Sequence, residues 1–399
     1  ALYNELRRKI HNRGRNAMIN NVKEVREEQK MTQCVLAETV GISRRSLSSI
    51  EANKTSPSID IALRIAQALN VSVDKLFLQE KDCSNSSLPQ EIKFIDLFCG
   101  IGGFRYAAGQ TFAQLGIHGK CVFSSDIDIP AQKSYAANFG ETPTGDITKV
   151  AATDIPDFDL LFGGFPCQAF SIIGKREGFA DKTRGTLFFE IARILKEKRP
   201  KAFVLENVKQ LVSHDGGKTI NTIITTLRDE LGYYVDYRIL NALDYGLPQK
   251  RERVIIVGSL KPFIMKWPEK VTNGKTLNDI LEKKVDPKHY ASPQIVQKRK
   301  NMHTSQYHPA IWHENKAGNI SSYPYSCALR AGASYNYLLV DGERRLTPRE
   351  MLRLQGFPDS FKMVVSDCQI RKQAGNAVPV DMVKHVLDNF IPLVFSENE

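Results

Sequence analysis

Phe94-Ile95-Asp96-Leu97-Phe98-Cys99-Gly100-Ile101-Gly102-Gly103 reads as a buried strand running into a glycine-rich turn and a helix. Four more short apolar runs follow: CVFSSD ending at Asp126, FDLLFG ending at Gly163, AFVLEN ending at Asn207 and RVIIVG ending at Gly258. Helical stretches, Thr186 to Glu197 and Lys218 to Leu231 among them, lie between the runs. That alternation predicts an α/β domain with a mostly parallel, Rossmann-like sheet over residues 92–260. In such a sheet ligands sit at the carboxyl ends of the strands, so those ends are where chemistry is sought.

Outward from this block the composition changes twice. Residues 1–18 form a basic arm, with Arg7, Arg8, Lys9, Arg13 and Arg15 against Glu5. Residues 19–80 have helical periodicity, and the polar, turn-rich stretch 81–91 reads as a linker. After about Lys261 the rhythm breaks, with Pro, Asn, His and Tyr in quantity, which predicts a smaller domain over 261–372. Residues 373–399 are expected to return to the α/β domain.

The 399 residues are 42% hydrophobic and 25% charged, as in an ordinary globular protein. No apolar run approaches the ~18 residues of a membrane span, and no secretory signal pattern opens the chain. It begins Ala1-Leu2-Tyr3, without an initiator Met, as expected after processing or from a cloning scar. A net charge of +11 favours a polyanionic partner, nucleic acid first. The seven cysteines include no Cys-x-x-Cys pair, so a reducing, cytoplasmic setting is expected, with no disulfide framework and no metal.

The glycine turn alone could equally hold a nucleotide phosphate, but no Lys-Ser/Thr follows it for a phosphate-bound metal. An acid, Asp126, ends the next strand and suits a ribose diol. Cys167 stands in Gly163-Gly164-Phe165-Pro166-Cys167-Gln168 after the third strand, where a thiolate nucleophile would face a ligand. The acid Glu206 and Asn207 end the fourth strand, and Gln249-Lys250-Arg251-Glu252-Arg253 leads into the fifth.

Taken with Gly145-Asp146-Ile147, read as the end of a further strand, these segments resemble the cytosine-5 methyltransferase family. Arg345-Leu346-Thr347-Pro348-Arg349-Glu350, Gln355-Gly356-Phe357-Pro358 and Gln373-Ala374-Gly375-Asn376-Ala377-Val378 extend the resemblance over about three-quarters of the chain. It implies a cofactor, S-adenosylmethionine, held by Phe98, Gly100, Gly102, Asp126, Ile127, Asp146, Ile147, Pro166 and Asn376. It implies Cys167 as nucleophile, Glu206 on cytosine N3, Asn207 steadying the nucleophile loop, Arg253 on cytosine O2 and Arg251 in support. Ala377 departs from the family, which often has Ser there. A base inside a duplex is out of reach, so the target must be flipped. The basic, glycine-hinged stretch Ser171 to Arg184 would close over it, with Gln168 and Ser171 on DNA.

Met31-Thr32-Gln33 through Glu51 resembles a repressor-type helix-turn-helix, with Thr32 and Ser43 as helix caps, Gly41 at the turn, and Ile59, Leu63, Ile65 and Leu69 closing the bundle. Gln33, Ser43, Arg44, Arg45 and Ser46 would then meet DNA; solvated charges on a protein-interaction module are the alternative. In the smaller domain, Tyr325 to Tyr337 is the candidate groove segment, with Arg330 reading a base or gripping phosphate. Sites of the CC-N-GG kind are what helix-turn-helix-bearing relatives suggest.

The expected whole is a bacterial restriction–modification methyltransferase acting on double-stranded DNA at the nucleoid. Its N-terminal domain would regulate an operator. A monomer is expected for methylation and a dimer on the operator, with the cognate endonuclease encoded nearby but not a physical partner. A transcription factor with an inactive methyltransferase-like domain, and an RNA cytosine methyltransferase, are the competing readings.

Overall fold

The computed structural model describes residues 22–52, 55, 57–71, 76, 88–166 and 187–396. The chain divides into two compact units at residue 86. The expected basic arm, the 171–184 stretch, Cys167, Gln168 and Ser171 lie outside the described residues, as does most of the expected linker. Among the described residues no helix is long and apolar enough to cross a membrane.

The first unit is built on α1 (Val22–Glu28), α2 (Gln33–Val40), α3 (Arg44–Glu51) and α4 (Ile59–Ala68). Thr32 Oγ1 accepts from Val35 N, and Ser43 Oγ accepts from Ser46 N at 3.0 Å, so both expected caps are in place. Gly41, at φ 71°, ends α2 in the left-handed region, as a tight turn between helices requires. Leu36, Ala37, Val40, Leu47, Ile50, Ala62, Ile65, Ala66 and Leu69 form the core. Leu63 does not join it: its side chain is 49% exposed. Positions 62, 65, 66 and 69 share one helical face, and 63 falls about 100° away from 62. An internal ion pair was not anticipated. Arg26 donates through Nε to Glu51 at 2.6 Å, and Gln33 Nε2 donates to the same carboxylate at 2.7 Å, joining α1, α2 and α3. One amide N–H of Gln33 is therefore committed inside the unit.

The second unit is a six-stranded sheet in the order β2-β1-β3-β4-β7-β5. Its strands are β1 (Glu91–Leu97), β2 (His118–Ser125), β3 (Leu160–Gly163), β4 (Ala202–Val208), β5 (Tyr234–Asn241) and β7 (Glu252–Ser259). The first four run parallel, and β7 lies antiparallel to both β4 and β5. The longer helices are α5 (Gly103–Leu115), α6 (Ile129–Phe139), α7 (Leu187–Lys198) and α8 (Lys218–Thr225), then α9 (Pro293–Met302), α10 (Pro348–Leu354), α11 (Asp367–Asn376) and α12 (Val380–Phe395).

Side chains alternate across the sheet, so the core has two layers. Phe94 and Phe162 face α5 and α12, packing with Phe104, Phe112, Val383 and Phe390. Ile95 and Leu97 face α7 and α8, packing with Phe188, Ile191, Leu195 and Ile223.

Three expectations change. The edge strand β5 was not expected, because Asp236 and Arg238 interrupt its apolar pattern. No strand ends at Gly145-Asp146; Thr144 joins Ser125 through a single parallel bridge, and Asp146 instead caps a short 3-10 turn. Residues 263–280, expected to open the smaller domain, pack on the large core, with the Phe263 and Phe390 rings 5.5 Å apart and Met265, Leu277 and Ile280 buried there. That coil lacks period because it covers α12 without forming a strand. Beyond it, β8 (Ile311–Glu314), β9 (Ile320–Tyr323) and β11 (Leu338–Val340) make a small antiparallel sheet. The short strand β10 (Ser326–Cys327) pairs with β6 (Gln249–Lys250), immediately before β7.

Candidate active site

The carboxyl ends of the parallel strands gather the residues singled out in the sequence. β3 leaves the sheet at Gly163, beside Leu205 of β4. Because β7 is antiparallel, its first residues return to the same edge, with Arg253 opposite Val208 and Ile255 opposite Glu206. The chain approaching Cys167 is fixed there: Asn207 Nδ2 donates to Phe165 O at 2.8 Å, with Asn207 and Phe165 both buried.

Glu206 is 7% exposed, and Arg253 Nε donates to its Oε1 at 2.8 Å. Burial pushes the Glu206 carboxyl above its usual range, while Arg253 and then Arg251 pull it back. Its Oε2 looks toward Gly164, where an added Cβ would lie 3.7 Å away. One oxygen is thus held by a cation, and the other faces Gly164, just past the end of β3.

Arg251 does not share that geometry. It is 1% exposed, and its guanidinium donates to three backbone carbonyls: Leu329 at 3.0 Å, Gly375 at 3.0 Å and Ala377 at 2.8 Å. Burial pulls its pKa down to about 9, with Arg253 adding and Glu206 opposing. Grouped with the catalytic residues in the sequence, it is in the structure a brace between three chain segments.

The glycine turn forms a second cluster at the β1 end. Phe98, Gly100 and Gly102 all have left-handed backbones, at φ 55°, 54° and 83°. A Cβ on Gly100 would meet nothing within 4 Å, so this side of the turn is open. A Cβ on Gly102 would lie 2.2 Å from the Phe139 ring. Phe139, which sequence reasoning missed, therefore packs directly on the turn. Asp126 braces the other side, accepting from Gly100 N at 2.7 Å and from Asp128 N at 2.8 Å. Burial raises its pKa against those bonds. Ile127 is 72% exposed, an unusual position for so large an apolar side chain. Asp146 accepts from Thr148 Oγ1 at 2.7 Å and Thr148 N at 3.0 Å, which holds its carboxyl below the usual range. Ile147 is buried, Pro166 exposed, and Asn376 stands exposed at the end of α11. Val378, two residues after Asn376, packs where the turn enters α5, since a Cβ on Gly103 would lie 2.6 Å from Val378 Cγ2.

Beneath the turn lies a buried polar group absent from the sequence reading. Asp96 is fully buried, neither carboxylate oxygen has a hydrogen-bond partner among the described residues, and its pKa is pushed by burial from 3.8 to about 8.

Gly102→Ala should weaken binding to whatever the turn holds by about tenfold, because a Cβ is strained at this φ and meets Phe139. Calorimetric titration with S-adenosylmethionine would read it; unchanged affinity would detach the turn from the cofactor.

Of the candidate DNA residues, Arg44 and Arg45 project from the start of α3 and are exposed. Ser43 and Ser46 hydrogen-bond each other at 2.8 Å. Arg330 is exposed, its guanidinium 4.8 Å over the Tyr337 ring.

Comparison with known proteins bears on both units. Residues 92–391 match the family described as C-5 cytosine-specific DNA methylase, and residues 22–76 match a helix-turn-helix family. Type II methyltransferase M.NgoBI of Neisseria gonorrhoeae is 52% identical over 295 residues, covering 73% of this chain and 90% of that protein. Type II methyltransferase M1.ScrFI of Lactococcus lactis subsp. cremoris is 41% identical over 391 residues, covering 94% and 95%, so the likeness extends through the N-terminal unit. The crystal structure of S. pombe Dnmt2 methyltransferase superposes with a TM-score of 0.56 at 21% identity, over 74% of this chain and 97% of that one, a likeness of fold.

Proposed function

The chain belongs to the C-5 cytosine-specific DNA methylases, and from that premise we propose that it flips a cytosine out of a short duplex site and methylates it through a covalent adduct on Cys167. DNA is its substrate and S-adenosylmethionine its methyl donor, as for the family. The observation that carries the proposal is the Glu206–Arg253 pair, 2.8 Å apart, at the strand edge where the chain enters the Cys167 loop.

The residues present fit the cofactor. A left-handed glycine turn open on one side admits close backbone approach, exposed Ile127 offers a face for adenine, and ionised Asp146 has an oxygen to spare for an amino group. Asp126 keeps lone pairs for a ribose while bracing the turn. Phe98, Gly100, Gly102, Ile147, Pro166 and Asn376 complete this proposed set. When bound, S-adenosylmethionine supplies an electrophilic methyl group on a sulfonium and leaves as the neutral thioether.

The chain's own residues prepare the ring. The Cys167 thiolate bonds to C6, the displaced C5–C6 electrons move to C4–C5, and the C4–N3 pair takes the proton held by Glu206. C5 is then enamine-like and takes the methyl group. Loss of the C5 proton to solvent expels the thiolate as C5=C6 re-forms, and N3 returns its proton to Glu206, which restores the ring. Arg253 orients Glu206 and the cytosine O2, its charge favouring the thiolate, and Asn207 fixes the loop through Phe165 O. Gln168, Ser171 and the stretch to Arg184 would meet the vacated duplex.

The likeness to type II methyltransferases supports a role within restriction–modification. We assign the N-terminal unit to transcriptional control of that system, with Gln33, Ser43, Arg44, Arg45 and Ser46 toward an operator bound as a dimer. Methylation would need one chain at the nucleoid and no contact with the endonuclease. Replacing Arg44 and Arg45 together with alanine should weaken operator binding at least about tenfold and leave methylation unaltered. Gel shifts on the DNA upstream of the gene would measure it, and equal binding by the variant would remove the unit from DNA recognition. Conversion sequencing of plasmid DNA from cells expressing the protein tests the whole function: 5-methylcytosine within one short motif supports it, and none anywhere would end it.

A further inference from the structure

We propose that Gly375 and Arg251 form a clasp that sets where the segment 329–337 lies against the catalytic edge, making both positioning residues for DNA discrimination. The inference rests on the reading that this segment meets DNA.

Three observations converge on the clasp. First, Gly375 lies in α11 with ordinary helical backbone, so no left-handed conformation calls for glycine there. What calls for it is space: an added Cβ would sit 2.4 Å from Ala331 N, 2.8 Å from Arg330 C and 2.9 Å from Ala331 Cα. All three are backbone atoms, which cannot swing aside as a side-chain tip can. Second, the Arg251 guanidinium bridges the two segments that touch here, donating to Leu329 O on one side and to Gly375 O and Ala377 O on the other. Third, Gln249 fixes the same point from β6, its Oε1 accepting from Leu329 N at 3.1 Å while its Nε2 donates to Leu354 O at 2.8 Å. Pairing of β10 with β6 delivers the segment to that spot.

Past the clasp the segment changes character. Arg330 is exposed and its amide donates to Tyr337 Oη at 3.0 Å. Tyr335 is 53% exposed, with the Arg371 guanidinium 4.3 Å from its ring. One end of the segment is therefore locked to residues 249–251, which lead into the strand that carries Arg253, while Arg330 and Tyr335 project outward. Shifting the lock moves every base-reading group relative to Glu206 and Arg253 without touching either. Direct readout depends on such placement, so a small displacement should cost recognition before chemistry.

Gly375→Ala is the lever, because alanine suits a helix and the fault it introduces is steric. On plasmid DNA, KM should rise about tenfold, the cost of a mismatched base pair. The set of methylated sequences read by conversion sequencing should widen. The Kd for S-adenosylmethionine and the rate at saturating DNA should hold. Adding Ala331→Gly, which loosens the displaced backbone, should restore part of the loss. Arg251→Lys should act in the same direction, since an ammonium cannot span three carbonyls as a guanidinium does. Unchanged KM and site set in Gly375→Ala, or loss of cofactor affinity in its place, overturns the clasp, as does failure of Ala331→Gly to restore anything. Arg330→Ala separates the premise from the inference. If that change leaves DNA binding intact, the segment does not read DNA; if it weakens binding while Gly375→Ala does not, the clasp alone is wrong.

Discussion

Cys167→Ser is expected to lower methyl transfer on the order of 10⁴-fold or more, as removal of a nucleophile does, with cofactor and DNA binding nearly intact. The reasoning starts from the ring: C5 of cytosine is too poor a nucleophile to take a methyl group unless C6 is first attacked. A hydroxyl is almost wholly protonated near neutral pH, whereas a thiol beside a guanidinium supplies thiolate. The buried anchor from Asn207 to Phe165 lies two residues before Cys167 and does not involve the sulfur, so serine should leave the approach to the loop as it is. Steady-state transfer of labelled methyl into plasmid DNA, alongside calorimetric binding of S-adenosylmethionine, would separate the two effects. Turnover within a few-fold of the unsubstituted enzyme would remove the thiolate from the mechanism.

Glu206→Gln should cost about 10²-fold or more in the rate at saturating DNA, in the range of a lost general acid. Glutamine keeps the shape and can still hydrogen-bond Arg253 through its carbonyl, but it has no proton to give to N3. The sign of the pH effect follows from burial. Burial raises the Glu206 pKa, opposed by Arg253 and Arg251, so the protonated form persists to higher pH than in an exposed glutamate. Activity that depends on that proton is full below the folded pKa and falls as pH rises through it. The thiolate limb runs the other way. A pH–rate profile under saturating DNA should therefore lose its descending limb in Glu206→Gln; an unchanged profile would assign the proton to another group.

What the sequence made legible was the part dictated by local chemistry. Strand ends carrying Gly100, Cys167, Glu206 and Arg253 could be read because short apolar runs stop abruptly at residues a strand interior would not tolerate. The caps Thr32 and Ser43 were legible for the same reason, since their hydrogen bonds span three residues. Contacts over long sequence separations were not. Nothing near Arg251 announces that its guanidinium will hold Gly375 O and Ala377 O, more than a hundred residues away. Phe139 looks like an ordinary core aromatic until its ring meets Gly102. Asp96 stands inside the apolar run without distinction, yet it is buried with both oxygens unpaired among the described residues. Leu63 was misplaced because its helix is short and three apolar neighbours compete for the buried face. β5 escaped because an edge strand carries polar residues that weaken its period.

A duplex containing 5-fluorocytosine at the target position tests the covalent mechanism most directly. Fluorine at C5 cannot leave as a proton does, so after methyl transfer the thiolate cannot be expelled and the adduct persists. The account predicts a one-to-one protein–DNA complex, formed only with S-adenosylmethionine and stable to denaturation, whose cross-linked peptide carries the modification on Cys167. A duplex methylated normally at cytosine but yielding no adduct with 5-fluorocytosine, or an adduct mapped to another residue, would contradict it.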